Sequence, residues 1–428
     1  MRPRSRYRQR PLSRWKTLVV PGSLAAPLTL TRAQLAGVQS SATGADGATL
    51  GLFGADVARF NGTARRLLIE GQRTNAIRNP RAEGAVAGTP GTLPTNWFDS
   101  AAGLTRTVVG MGTQNSIFYV DVRWAGTTTN TFLNINFEGI NVVAAANGEA
   151  WAASAFVAVV GGSFSNVTGL RSRVSVNNGL VYLGELVDTP PNLVPLLSGA
   201  LARQPTTAGT IAQASATNVA PYLQATFANG AAIDFTLRIG FPQLERGAFS
   251  STPILPPVGT PGASTRGADL VSASLSSLGI PASGACTVLW SGMIPQAAPS
   301  SAHQAIAQID DGTNDNRLTL RNVQGTANVG IIWVVSGVGA GTATGGALTA
   351  GTPFRVGVSM NGAGRAAASL NGGAAAIVTG GISGGLTTLR LGQQIGGAEM
   401  FGETTLLRVL PYTLSDTNLA AAVAALPT

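Results

Sequence analysis

From residue 76 to about 250 the chain is built from short apolar runs, some alternating with polar residues and some continuous. Gly, Asn and Pro clusters separate them. Ser116–Val122, Thr131–Phe137, Ala150–Val160, Arg171–Val176, Tyr222–Phe227 and Ala232–Ile239 are the clearest. Short strands recurring at roughly 8–12-residue spacing predict an antiparallel sandwich or jelly roll. Asn177-Asn178-Gly179 marks a hairpin turn, because Asn and Gly tolerate positive φ, and Pro190-Pro191 marks a surface loop.

The same pattern returns from 268 to the end. Cys286–Met293, Ala305–Ile309, Arg317–Asn322, Val329–Val335, Phe354–Met360, Arg365–Leu370, Thr388–Leu391 and Thr404–Val409 read as strands. Asp311-Gly312, Asn361-Gly362 and Asn371-Gly372-Gly373 read as turns. Helix is expected at two places only, a turn at Thr31–Leu35 and a short C-terminal helix near 416–425 with Ser415 or Asp416 as N-cap. The fold class expected is all-β. It comprises an irregular N-terminal segment at 1–75, a sandwich at 76–255, a Pro/Gly linker at 256–267 and a second sandwich at 268–428. Pro253, Pro256, Pro257 and Pro261 make the passage between the sandwiches extended, since proline fixes φ and lacks a donor.

Charge changes this picture at one end. Charged residues make up only 11% of the 428-residue chain, against about 25% in an ordinary globular protein. Arg2, Arg4, Arg6, Arg8, Arg10, Arg14 and Lys16 supply seven of the 28 cations with no acid among them, so the net +9 falls to +2 beyond residue 16. The basic arm, with Tyr7 and Trp15, fits an acidic groove on a partner protein. Nucleic-acid binding is the alternative, and the remainder of the chain carries no nucleic-acid motif. No apolar run approaches the roughly 20 residues of a membrane span, and no apolar segment with a cleavage site follows the basic start.

The chemistry available is sparse. One cysteine, Cys286, and one histidine, His303, exclude disulfide frameworks and the usual zinc sets. Cys286 falls in an apolar run and is expected to be a buried thiol. His303 lies in a Pro/Ser/Ala loop with no nucleophile elbow to serve. Asp310, Asp311, Asn314 and Asp315 form the densest group of oxygen ligands. That makes Ca²⁺ the one cation to consider, although the EF-hand spacing is absent and a solvated hairpin loop is the alternative. No other cofactor is indicated. The acid pairs Glu399/Glu403 and Asp311/Asp315 could be proposed for glycosidic cleavage, but nothing else marks them. Exposed aromatics stack on sugar rings. Trp97 and Trp124, beside polar loops, are the candidates for glycan binding, whereas Trp151, Trp290 and Trp333 lie in strand runs and belong to cores.

Three phrases carry a resemblance. Leu67-Leu68-Ile69-Glu70-Gly71-Gln72-Arg73-Thr74-Asn75 resembles the phrase that precedes the first sandwich in phage fibre and head-spike proteins. It is followed here by Asn79-Pro80 and Pro94-Thr95-Asn96-Trp97. Gln243-Leu244-Glu245-Arg246-Gly247, continuing to Thr265-Arg266-Gly267-Ala268-Asp269, resembles the phrase that closes that sandwich. Phe354–Gly362, Ala368–Gly373 and Leu410-Pro411-Tyr412-Thr413-Leu414-Ser415-Asp416 are similar to concanavalin A-like (laminin-G-type) domains. In order and spacing the chain resembles tailed-phage virion appendages, including those of phage-like gene transfer particles. The resemblance implies a carbohydrate-binding-module-like first sandwich and a concanavalin A-like second one. It further implies a structural, non-enzymatic virion protein of the tail-fibre or head-spike type, assembled in the host cytoplasm. Such a protein attaches to other virion proteins through its N-terminal arm, forms a homo-oligomer, most often a trimer, and binds host cell-surface polysaccharide. A capsular polysaccharide depolymerase and a purely architectural decoration protein are the alternatives.

Overall fold

The computed structural model describes residues 15–381 and 385–428. Among them the regular structure is almost entirely antiparallel β, with one α-helix, Asp416–Ala424. The expected strands at Cys286–Met293, Arg317–Asn322, Phe354–Met360, Arg365–Leu370 and Thr388–Leu391 have those bounds.

The chain divides into two compact units. Unit 1 takes in the residues up to Arg32, Asp56–Gly71 and Ala268–Thr428; unit 2 takes in Ala33–Ala55 and Gln72–Gly267. This corrects the linear division. Residues 15–75 are not an irregular segment but strands shared between both units. Lys16–Val20 and Arg66–Ile69 both pair with Gly402–Leu410, and Thr29–Thr31 pairs with Leu270–Ser274. The expected helical turn at Thr31–Leu35 does not form, because the backbone there ends a strand and continues to a bridge between Gln34 and Arg266. The 256–267 passage is built into unit 2 rather than free. Pro256 O accepts Arg81 Nε at 2.8 Å, Gly259 N–H donates to the Glu83 carboxylate, and Ser264–Arg266 pairs with Arg73–Asn75.

Unit 1 is a sandwich. One sheet runs Ser23–Leu24, Lys16–Val20, Gly402–Leu410, Cys286–Met293, Phe354–Met360, Arg365–Leu370, Ala376–Thr379. The other runs Val338–Ala347, Asn328–Val335, Arg317–Asn322, Gln304–Asp310, Thr388–Leu391, Leu270–Ser274, Thr29–Thr31. Alternate residues of both, among them Val288, Trp290, Val356, Ile309, Leu320, Ile331, Trp333 and Leu389, meet in one core. Each fully buried large aliphatic side chain contributes about 1.5–3 kcal/mol. The helix covers the back of the first sheet. Ser415 caps it, accepting the Asn418 N–H, and Leu419 and Val423 pack on Leu289, Ala367 and Leu410. Gly357 lets it approach, since a Cβ there would lie 2.6 Å from Leu289 and 2.7 Å from Val423.

Unit 2 is also a sandwich. Its first sheet is ordered Thr105–Gln114, Ile117–Thr127, Ala232–Arg246, Ala150–Ser163, Ala202–Arg203. Its second is ordered Val181–Glu185, Val167–Asn178, Asn218–Phe227, Phe132–Asn136, Phe98–Asp99. Val120, Val122, Trp124, Phe235 and Leu237 of the first face Leu170, Val174, Leu223 and Ala225 of the second. A small sheet of Ile254–Leu255, Gln39–Thr43 and Leu50–Phe53 brings Leu50 and Leu255 onto Ile117, Phe156 and Phe241, behind the first sheet.

The polar residues of the recurring phrases are consumed in holding these units. Within unit 1, the Asp269 carboxylate receives Arg32 Nη1 and Arg59 Nη2, both at 2.6 Å, and the Glu70 N–H at 2.9 Å. Glu70 Oε2 receives Arg59 Nη1 at 2.8 Å. All four residues are buried. Within unit 2, the Asn75 amide makes all four of its hydrogen bonds to backbone, donating to Pro242 O and Ile254 O and accepting from Ile77 and Leu244. Gln243 and Glu245 hold the turn at Ser251–Ile254 in the same way. Arg266, fully buried, donates to Thr252 Oγ1, and Thr265 shares a hydroxyl–hydroxyl bond with Thr74. These phrases therefore encode architecture; buried polar groups at these positions must be paired.

Candidate functional site

Among the described residues, the tryptophans and oxygen ligands singled out from the sequence do not come together in a site. Trp97 and Trp124 are buried, at 6% and 0% exposure. On Ile117–Thr127, Trp124 shares parity with Val120 and Val122 and so faces the core, with its Nε1 donating to the Asp99 carboxylate at 2.8 Å. Trp97 packs edge-on against Phe137, 4.7 Å between centroids, and donates to Asn79 O. Neither can stack on a sugar. Trp151, Trp290 and Trp333 are buried too.

The oxygen-rich loop is likewise occupied with itself. Asp310 is fully buried and takes Arg390 on both oxygens, at 2.7 and 3.3 Å. Asp311 holds its own turn through Thr313 and Asn316, and these bonds keep its carboxyl below the usual carboxylate range. Asn314 donates to Ile395 O, and Asp315 accepts nothing from the other three. No group of three or more His, Cys, Asp or Glu among the described residues is placed to hold a metal ion. Glu403 is tied to Asn61 and Arg66, and Cys286 is buried, its thiol pushed up to about 12 by burial. Of the basic arm, Arg2, Arg4, Arg6, Arg8, Arg10 and Arg14 lie outside the described residues. Trp15 is exposed, and Lys16 opens a strand with its ammonium donating to Ser277 O at 2.8 Å.

The second sheet of unit 2 presents a different set. Leu170, Ser172, Val174 and Val176 point inward, which places Arg171, Arg173, Ser175 and Asn177 outward. The neighbouring strand places Tyr222 and Gln224 outward opposite Arg173 and Arg171. Asn136 and Asn134 lie opposite these on the next strand, and Phe98, 44% exposed, lies opposite Asn136 at the edge. On the other side the hairpin after Asn177-Asn178-Gly179 brings Tyr182 and Glu185. The Gly179 φ of 58° is the left-handed conformation the turn needs.

Both tyrosines serve one carboxylate oxygen. Tyr222 Oη donates to Glu185 Oε1 at 2.5 Å, and Tyr182 Oη donates to the same atom at 3.0 Å. Glu185 Oε2 accepts no hydrogen bond and stands 4.0 Å from Arg173 Nη1, while Arg173 Nε also lacks a partner. Burial raises the Glu185 carboxyl against the opposing pull of the two hydroxyls and Arg173. Burial, then the Glu185 carboxylate, pushes Tyr182 up to about 12 and raises Tyr222 further still. Neither phenol is activated as a nucleophile. Arg171 has no ion-pair or hydrogen-bond partner for its guanidinium among the described residues. Tyr182 is 58% exposed, next to Leu180 and Val181 at the hairpin tip, which are also exposed.

The outer face of the first sheet makes the contrast. There Arg238 forks onto Asp121 at 2.8–2.9 Å, donates to Gln114 and lies 3.7 Å over the Tyr119 ring, and Arg123 forks onto Asp234. That face is satisfied within itself. The Tyr182–Glu185–Arg173 face is not. Its exposed ring is that of Tyr182, and its Arg171 guanidinium has no hydrogen-bond or ion-pair partner among the described residues, whereas Tyr222 is buried and the carboxylate of Glu185 is committed to the two tyrosines. Sequence reading missed it because Tyr222 and Glu185 lie 37 residues apart. The available signal was the apolar Leu180-Val181-Tyr182 directly after a turn.

No protein-family model and no curated protein sequence matches the chain. Solved structures that the chain matches include the tripod BppUct-A-L from the baseplate of bacteriophage Tuc2009, at 15% identity over 78% of this chain and 98% of that one (TM-score 0.30). They also include the CBM40 of the Ruminococcus gnavus IT-sialidase bound to α2,3-sialyllactose, at 16% identity over 32% of this chain and 82% of that one (TM-score 0.27). Domains LG4–5 of the mouse laminin α1 chain match at 13% identity over 68% of this chain and 88% of that one (TM-score 0.24).

Proposed function

We propose that the protein is a structural component of a tailed-phage or phage-like particle, of the tail-fibre or head-spike type, and that it binds host surface glycan through the Tyr182–Glu185–Arg173 face of unit 2. The observation that carries the binding half is the exposed Tyr182 ring, beside exposed Leu180 and Val181, on the face that also carries the unpartnered guanidinium of Arg171. A saccharide oxygen accepting from Arg171, with a sugar face on the Tyr182 ring, would satisfy them. The virion half is supported by the phrases at 67–75 and 243–269, in which Glu70, Asn75, Glu245 and Asp269 hold the units together. Attachment through the basic arm and a trimeric assembly belong to the same proposal.

Binding is favoured over cleavage. Glu185 is the one raised carboxyl of the face, and both tyrosines are committed to its Oε1. A depolymerase needs a second carboxylate across a cleft. The test is to purify particles and probe them with an antibody against the chain, then ask whether the free full chain blocks adsorption to host cells. Particle-bound chain and blocked adsorption are expected. A chain absent from particles contradicts the virion half, and a chain on particles that leaves adsorption unchanged contradicts the receptor half.

A further inference from the structure

The seven-stranded sheet of unit 1 has an outer face of its own. On Arg317–Asn322, Leu318 and Leu320 enter the core, so Arg317, Thr319 and Arg321 face out. In register beside them lie Gln308, Asp310 and Arg390 on one side, and Ile332 and Gly330, then Thr342 and Thr344, on the other. Asp310 is consumed by Arg390, Gln308 and the Gly312 N–H. Thr319 donates to Gln308.

Two cations are left over. Arg317 and Arg321 are half-buried, and neither guanidinium has an ion-pair or hydrogen-bond partner among the described residues. Arg317 Nε is fully enclosed and unpartnered, although Asp315 and Asp310 lie within electrostatic range. Arg321 has no acid near it. Burial, then the charge of Arg317, holds its proton less firmly than usual, and burial with Arg321 lowers His303 in turn. Gly330, opposite Arg321, contributes no side chain to cover it, and Thr344 beyond is exposed. The two guanidiniums stand four residues apart on one strand, and each, partly desolvated and unpartnered, can receive a planar anion bidentately.

We propose that the Arg317–Arg321 face is a second saccharide site, selective for acidic polysaccharide, with carboxylates of uronic or other acidic sugar residues on Arg321 and Arg317 and sugar hydroxyls on Thr342 and Thr344. It uses none of the residues of the Tyr182 face, so either site can fail without the other.

The test is calorimetric titration of the full chain with a galacturonate hexamer, a neutral maltohexaose and inorganic phosphate. Each is repeated on Arg321→Ala, Arg321→Lys, Arg317→Ala and Tyr182→Ala, with circular dichroism confirming each fold. The hexauronate should bind more weakly as salt rises. Its affinity should fall at least tenfold in Arg321→Ala and by an intermediate factor in Arg321→Lys, which keeps the charge but loses the fork. It should be unchanged in Tyr182→Ala. Binding that ignores both arginines, that is independent of salt or that disappears with Tyr182 overturns the proposal. Equal affinity for the neutral hexamer overturns its selectivity, and phosphate binding as tight as the hexauronate reduces the face to a small-anion site.

Discussion

Asp269 and Arg59, separated by 210 positions in the chain, meet at 2.6 Å with both side chains fully buried. The same carboxylate holds Arg32 at 2.6 Å, and Arg59 holds Glu70. Two cations and two anions are thus enclosed together in unit 1. Removing one member leaves buried charge without compensation, which costs about 3–5 kcal/mol. Asp269→Asn should lose that much in urea denaturation. Asp234→Asn, in a pair that is about half exposed, should leave the midpoint unmoved. A small effect at Asp269 would mean the network does not hold the unit.

Trp124 is a core residue of unit 2 and not a sugar platform. Trp124→Ala removes a fully buried indole beside Phe235, 5.7 Å between centroids, and takes the donor from one oxygen of Asp99, whose other oxygen keeps Arg106. The expected loss is about 3–5 kcal/mol of stability, read as a lowered urea midpoint. A stable Trp124→Ala chain with weakened glycan binding would reverse that assignment.

Glu185 should make stability depend on pH. Its folded carboxyl is raised above the ordinary 4.5, mainly by burial. The folded chain therefore holds this proton more tightly than the unfolded one. The stability so gained is complete below pH 4.5 and is lost as pH rises through the folded value. Glu185→Gln, neutral throughout, lacks this loss. Urea titrations from pH 4 to 8 should show the native chain declining relative to the variant as pH rises. A constant or opposite difference contradicts the burial of Glu185.

Cys286 is enclosed at 1% exposure with a thiol raised to about 12. Ellman's reagent should titrate no thiol in the native chain and one after denaturation. Rapid native labelling would place Cys286 outside the core of unit 1.

Much of the strand pattern was legible because apolar alternation is local. Cys286–Met293 and Phe354–Met360 show it, and Ser415 announces the helix as a cap should. Val338–Ala347 was not legible. Its Gly-rich residues bury little, and the strand is held by backbone pairing with Asn328–Val335. Nor was the duty of residues 15–75, since Lys16–Val20 finds its partner at Gly402–Leu410 across nearly the whole chain. Trp124 was misread from its loop neighbours, although its parity with Val122 points inward. The Tyr182 face needs three strands brought into register before its residues meet. Such a relation lives in topology, not in any window of sequence.

The most direct test of glycan binding is surface plasmon resonance of the full chain over host cell-surface polysaccharide, native against Tyr182→Ala and Arg171→Ala. Both side chains lie outside the cores, so both variants should keep the native circular dichroism spectrum. The native chain should bind, and each variant should bind at least tenfold more weakly. Equal binding by all three chains, or none by the native chain, would contradict the assignment of this face.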